Sequence, residues 1–336
     1  MSYISILYSQ ILAFMIKLTQ QERKFMAKQK FKAFDIFYST LNLYMKHVRA
    51  FFSYLTFPII GQVAGMVITF VLNYHFIVNL DVIQQYIPLY NNPIAILVTA
   101  ILLMLPGLIL MLRAFWEYLV AYGAINSMAD NMTKSGKLYD FEAHTLVINH
   151  RKFAFAGLWI IYSIFIFFSS CPLLWIASGL IFVFFALVFQ VFTLEPEKNI
   201  FMCFHKSFIL VKQKYFETLV VLLLVSTLTY FIIPEIIRLI CSLTGVVTLF
   251  SNLIQNIVAL HTQMYLDKFN ELLTTLNQAP LSILDLSKII VLAVIGWIVS
   301  AYLLPIRSLA CYLMYKDLNK KYLAKFKKKS KLDVQM

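Results

Sequence analysis

The stretch Lys198–Val225, KNIFMCFHKSFILVKQKYFETLVVLLLV, decides how the chain is read. Ile200, Phe201, Phe204, Phe208, Val211 and Tyr215 recur at helical spacing on one side, and Lys198, His205, Lys206, Lys212 and Gln213 fall on the other. An uninterrupted apolar span follows with no turn signal between. A basic amphipathic helix of this kind lies in the headgroup layer, lysines toward phosphate and water, while the following segment enters the bilayer.

Working outward, the pattern recurs. Phe34, Phe37, Tyr38, Leu41, Met45 and Val48 face Lys32, Asp35, Ser39, Asn42, Lys46 and Arg49, ahead of an apolar run from Phe51 to Asn73. A weaker copy runs from Tyr139 to Lys152, ahead of about forty residues without a charge from Phe153 to Leu194. That is twice the roughly twenty residues needed to cross hydrocarbon, and Ser169-Ser170-Cys171-Pro172 is the natural place to split it.

Composition agrees. Globular chains are roughly half apolar and a quarter charged, whereas this one is 61% hydrophobic and 13% charged, with 30 Phe and 19 Tyr. Lipid must solvate much of it. The net charge of +13 does not point to nucleic acid, because the basic residues cluster between apolar spans and at the C-terminus. Lys and Arg are absent from Phe51 to Leu112 and from Phe153 to Glu197, and only Arg238, Lys268 and Lys288 occur between Phe216 and Ile306. This asymmetry predicts both termini and all three amphipathic helices on the cytoplasmic side.

The expected architecture is therefore an all-α polytopic membrane protein with about six transmembrane helices in three hairpins, each preceded by a basic interfacial helix. The divisions are 1–32 as a basic N-terminal interfacial segment without a cleavable signal, 33–315 as the membrane domain, and 316–336 as a basic cytoplasmic tail. Hairpin units fall at about 33–125, 138–195 and 198–315, with 235–287 as an outer-side insert.

Few residues invite a chemical role. Arg113 and Glu117, four apart on one helix face, and Glu235 and Arg238 after Pro234 are candidate intramembrane pairs, joined by the lone amide Gln190 and by Arg307. Lys46, Arg49, Arg151, Lys152, Lys206, Lys212 and Lys214 are candidate contacts for anionic lipid headgroups. The six histidines show no HxxxH or HExxH spacing, the four cysteines form no CxxC, and GxSxG, Walker A and GxGxxG are absent. No metal, cofactor or catalytic set is expected.

The residues Pro305-Ile306-Arg307, with Ala310, Leu313, Tyr315, Lys316, Asp317 and Leu318, resemble the "P…A…LLYYDLR" ending of the YciC-type bacterial inner-membrane proteins. Leu105-Pro106-Gly107 with Arg113 is similar to the "IPG…R" of the same group, and Glu195–Val225 follows its acidic opening and amphipathic helix. The long segment from Glu235 to Ser287, and Lys316 where a second aromatic is common, depart from it. Related sequences form the membrane domain of some glycerophosphodiester phosphodiesterases, but no such catalytic domain is present here. The resemblance implies a six-span inner-membrane protein without an assigned reaction. The leading expectation is a non-enzymatic membrane protein that binds lipid or serves a partner protein. A transporter or channel for a small solute or lipid is the alternative, disfavoured by the scarcity of polar residues within spans and by threefold rather than paired repetition.

Overall fold

The structure, a computed structural model, describes residues 32–333 apart from 137, 139 and 170–174, so the N-terminal segment and the turn at Ser170–Pro172 lie outside the described residues. Every regular element among the described residues is helical. The order is α1 (Lys32–Val78), α2 (Leu80–Tyr86), a short 3-10 turn (Pro88–Asn91), α3 (Pro93–Ser135), α4 (Phe141–Asn149), α5 (Lys152–Ser169), α6 (Trp175–Phe184) and α7 (Val188–Leu194). Then come α8 (Ile200–Lys212), α9 (Tyr215–Ser226), a π-helical turn (Thr227–Ile232), α10 (Ile233–Leu243), α11 (Val246–Thr275), α12 (Ile283–Tyr302) and α13 (Leu304–Asp333). Among the described residues four runs are long and apolar enough to cross a membrane: Ala33–Val78, Pro93–Ser135, Tyr215–Leu243 and Ile283–Ala324. A fifth arises if α4 and α5, bent by 76° against each other, act together. They make this a membrane-embedded helical protein.

Each of the three amphipathic segments ends in a break at its junction with the apolar segment. In α1 the break is His47, whose φ −120° and ψ 16° interrupt the helix. Between α4 and α5 it is the bend at His150–Arg151, and between α8 and α9 it is Gln213–Lys214. All three segments feed one core, which joins Ala33 and Tyr44 of α1 to Ile148 of α4 and to Cys203, Leu210 and Val211 of α8.

The face that is buried differs from the most hydrophobic one. In α8 Cys203, Ser207, Leu210 and Val211 pack inward, while Phe201 is 76% exposed. In the first turns of α1 Ala33, Thr40 and Tyr44 are buried, while Phe34, Tyr38 and Met45 face outward. In lipid, apolar bulk gains nothing by leaving the solvent, so close contact goes to small and weakly polar side chains. The approach of α1 to α3 follows the same rule. A Cβ on Gly107 would lie 2.5 Å from the Gly65 carbonyl oxygen and 2.3 Å from Thr69 Oγ1, so only glycine allows the two backbones to come this close.

Helix α13 is the axis of the core. From Leu303 to Tyr315 its side chains are buried at nearly every position, against α1, α3, α7, α8 and α9. The charge-free run after Phe153 is broken at Phe185–Leu187. There Ser207 Oγ accepts from the Leu187 N–H at 3.2 Å and donates to the Phe184 carbonyl at 2.8 Å, supplying the partners an interrupted helix needs away from water.

The helix that opens the third unit runs past Ile233 to Leu243 rather than stopping there. Pro234 cannot donate a backbone bond, and the wider π-turn just before it absorbs the defect instead of ending the helix. Residues 235–243 thus continue this helix. After the turn at Thr244–Gly245 the chain forms α11, which packs along α12 and touches α1 through an edge contact between Phe70 and His261.

Candidate functional site

The polar side chains gather in three places. The deepest is a ladder between α3 and α13, which run parallel. Asn126 Oδ1 accepts from Ser308 Oγ at 2.9 Å and from Gln190 Nε2 at 3.1 Å, and all three residues are fully buried. One turn along, Tyr312 donates to Asp130 Oδ1 at 3.0 Å and shares a 2.7 Å bond with Thr133, whose hydroxyl also accepts from Lys316. Asp130 further pairs with Lys134 at 2.6 Å. Beside this ladder Glu195 holds Lys206 and Tyr315, with Lys198 3.6 Å away, and so ties the loop before α8 to the axial helix.

Among the residues singled out from sequence, Gln190 is the one in this ladder. Asn126, Asp130, Ser308 and Tyr312 escaped notice, and Glu195 was read only as part of the acidic opening before α8. Their signal is visible in retrospect: Asn126, Asp130 and Thr133 recur at i, i+4, i+7, as do Ser308, Tyr312 and Tyr315. Nothing in the sequence says that the two stripes meet.

The second place is the set of helix junctions. Lys46, Arg49, Lys152 and Lys212 are exposed and make no ion pair among the described residues. Lys152 lies 5.3 Å from the ring of Phe153, and Lys212 lies 5.8 Å from that of Phe208. The other three basic residues of the sequence set are engaged. Arg151 donates to the Phe192 carbonyl at 3.0 Å and to that of Lys198, stacks 4.0 Å over Phe192, and so caps the end of α7. Lys206 is held by Glu195 and Lys214 by Glu217 at 2.5 Å.

The third place is along the apolar spans. Arg113 and Glu117 pair at 3.4 Å with side chains 70% and 38% exposed. Arg238 binds Glu235 and donates from Nε to the Leu292 carbonyl at 3.0 Å, its guanidinium lying in space left by Gly296, where a Cβ would sit 2.0 Å from Nη2. Arg307 has no carboxylate partner among the described residues. Its guanidinium stacks 4.3 Å over the Tyr230 ring, donates to Ser300 Oγ at 3.3 Å, and lies within electrostatic reach of the Tyr118 and Tyr122 phenols. A charge in mid-bilayer costs about 2.5–3.5 kcal/mol on insertion scales, so partners of this kind decide which charges are tolerated.

Burial pushes the Cys203 thiol up to about 11, beyond what the nearby Arg151 offsets, and holds it as the unreactive thiol near neutral pH. Among the described residues no three His, Cys, Asp or Glu side chains converge. Comparison with family models, curated proteins and solved structures finds no match to this chain.

Proposed function

We propose that this is a non-enzymatic, lipid-binding multi-pass protein of the bacterial inner membrane, of the YciC type, which serves as a scaffold or as a membrane subunit for a partner protein. Six crossings in three hairpin units, with both termini cytoplasmic, fit the charge asymmetry, α5 with the α6–α7 pair supplying the shorter hairpin. One observation carries the reading. At each of the three breaks between amphipathic and apolar helix stands an exposed basic residue without a carboxylate partner among the described residues: Lys46 and Arg49 at His47, Lys152 after Arg151, and Lys212 before Gln213. A break at the headgroup level flanked by free cations and exposed rings is what an anionic leaflet attracts, at about 1 kcal/mol per well-placed basic residue.

The test is mass spectrometry of the full chain purified in mild detergent. The wild type should retain phosphatidylglycerol over phosphatidylcholine, and joint replacement of Lys46, Arg49, Lys152 and Lys212 by Gln should reduce that preference about tenfold or more. An unchanged preference would refute the headgroup role. A stoichiometric protein in the same spectra would make the chain that protein's membrane subunit.

A further inference from the structure

We infer that Arg307 is the anchor of an intramembrane site for a phosphate-bearing amphiphile, reached sideways from the lipid. The inference deepens the lipid-binding reading and rests on it for the route of entry, but not on the junction cations. Arg307 lies within the apolar run Ile283–Ala324, nineteen residues beyond Lys288 and nine before Lys316, about 14 Å along the helix from the latter. A guanidinium does not deprotonate, so unlike a lysine it cannot escape its charge by losing a proton.

Arg307 makes no ion pair among the described residues, and the carboxylates of the apolar spans are engaged elsewhere. Glu117 pairs with Arg113, and Glu235 pairs with Arg238. Tyr230 covers one face of the guanidinium, Ser300 accepts from a single Nη1 proton and the Tyr118 hydroxyl from another N–H, so that two of the five N–H donors have an acceptor among the described residues. The Tyr118 hydroxyl, which accepts from the guanidinium, keeps its own proton to donate, and the Tyr122 phenol lies within electrostatic reach. A fixed guanidinium fork with a phenol donor beside it matches the several acceptor oxygens of a phosphate.

Two further features point outward from this spot. Tyr230 is 50% exposed and Phe231 64%, so the site opens on the lipid-facing surface rather than into the core. Tyr230 also stands on the π-turn Thr227–Ile232, a local widening of the helix of a kind that recurs at functional sites.

The experiment titrates the full chain in mild detergent with phosphatidylglycerol, oleate and inorganic phosphate, and reads bound species by native mass spectrometry. One phosphatidylglycerol per chain should resist delipidation, and Arg307→Gln should lower its occupancy about tenfold, as loss of a charged hydrogen-bond partner implies. Tyr230→Leu, at a half-exposed position, should lower it about threefold by removing the stacked ring. If Arg307→Gln is not recovered folded, Arg307→Lys, which keeps the charge and loses the fork, should show an intermediate loss. Displacement by millimolar inorganic phosphate would keep the phosphate chemistry and make free phosphate the source. Unchanged occupancy in the Arg307 variants, or preference for oleate, would overturn the site. Loss confined to the junction variant would remove this inference and leave the interfacial reading standing.

Discussion

The two halves of α3 lie on one continuous helix and behave as different materials. From Pro93 to Leu112 the side chains Ile94, Leu97, Ile101, Leu102, Ile109 and Leu112 are half or more exposed. From Ala114 onward Val120, Ala121, Gly123, Ala124, Ile125, Asn126, Met128 and Ala129 are buried. The bulky aliphatic half meets lipid, and the half rich in Ala and Gly meets protein. Hydrophobicity therefore marks where the chain enters the membrane, whereas side-chain size marks where it meets itself.

That contrast can be broken by experiment, beginning with the core. Phe189→Ala removes a ring packed against Tyr122, Phe155, Trp159 and Tyr162 and should cost about 3–5 kcal/mol in a detergent unfolding titration. Leu112→Ala, at a position 61% exposed, should leave the midpoint almost unmoved. Equal losses would mean that the open half is covered in the folded protein. Gly107→Ala should cost about 1–3 kcal/mol by overpacking α3 on Thr69 and Gly65, and a smaller change would show that the two helices separate easily there.

Asn126→Ala strips Ser308 and Gln190 of a shared acceptor and should cost about 1–2 kcal/mol by the same titration, within the range found for polar contacts between membrane helices. The exposed Arg113–Glu117 pair, tested by a double-mutant cycle, should couple by only about 0.3–0.5 kcal/mol. A coupling as large as the Asn126 loss would place that pair out of reach of water and solvent screening.

Legibility follows the same division. Apolar runs, charge gaps and amphipathic spacing locate the apolar helices, because those properties belong to single segments, whereas the breaks at His47 and Gln213–Lys214 carry no turn signal. What they do not disclose is which stripe of a helix touches protein. Phe201 and Tyr38 look like core and face outward, while Ser207 and Thr40 look like surface and are fully buried. The polar ladder was hidden for a related reason. Asn126 and Ser308 are 182 positions apart, and pairing them requires knowing that α3 and α13 run side by side. Pro234 gives no sign of its setting either, since a proline that would end a helix in water is carried here by a π-turn.

The axial position of α13 also sets an order of events during synthesis. It is made long after α3, yet Ser308, Tyr312 and Tyr315 supply the partners of Asn126, Asp130 and Glu195. Until it emerges, α3 stands in the membrane with an amide and a carboxylate facing a vacant slot. The nascent protein is therefore a set of loosely held helices that locks only once α13 has been made, and a chain cut short before residue 304 would display those polar groups to whatever machinery surveys unassembled membrane proteins.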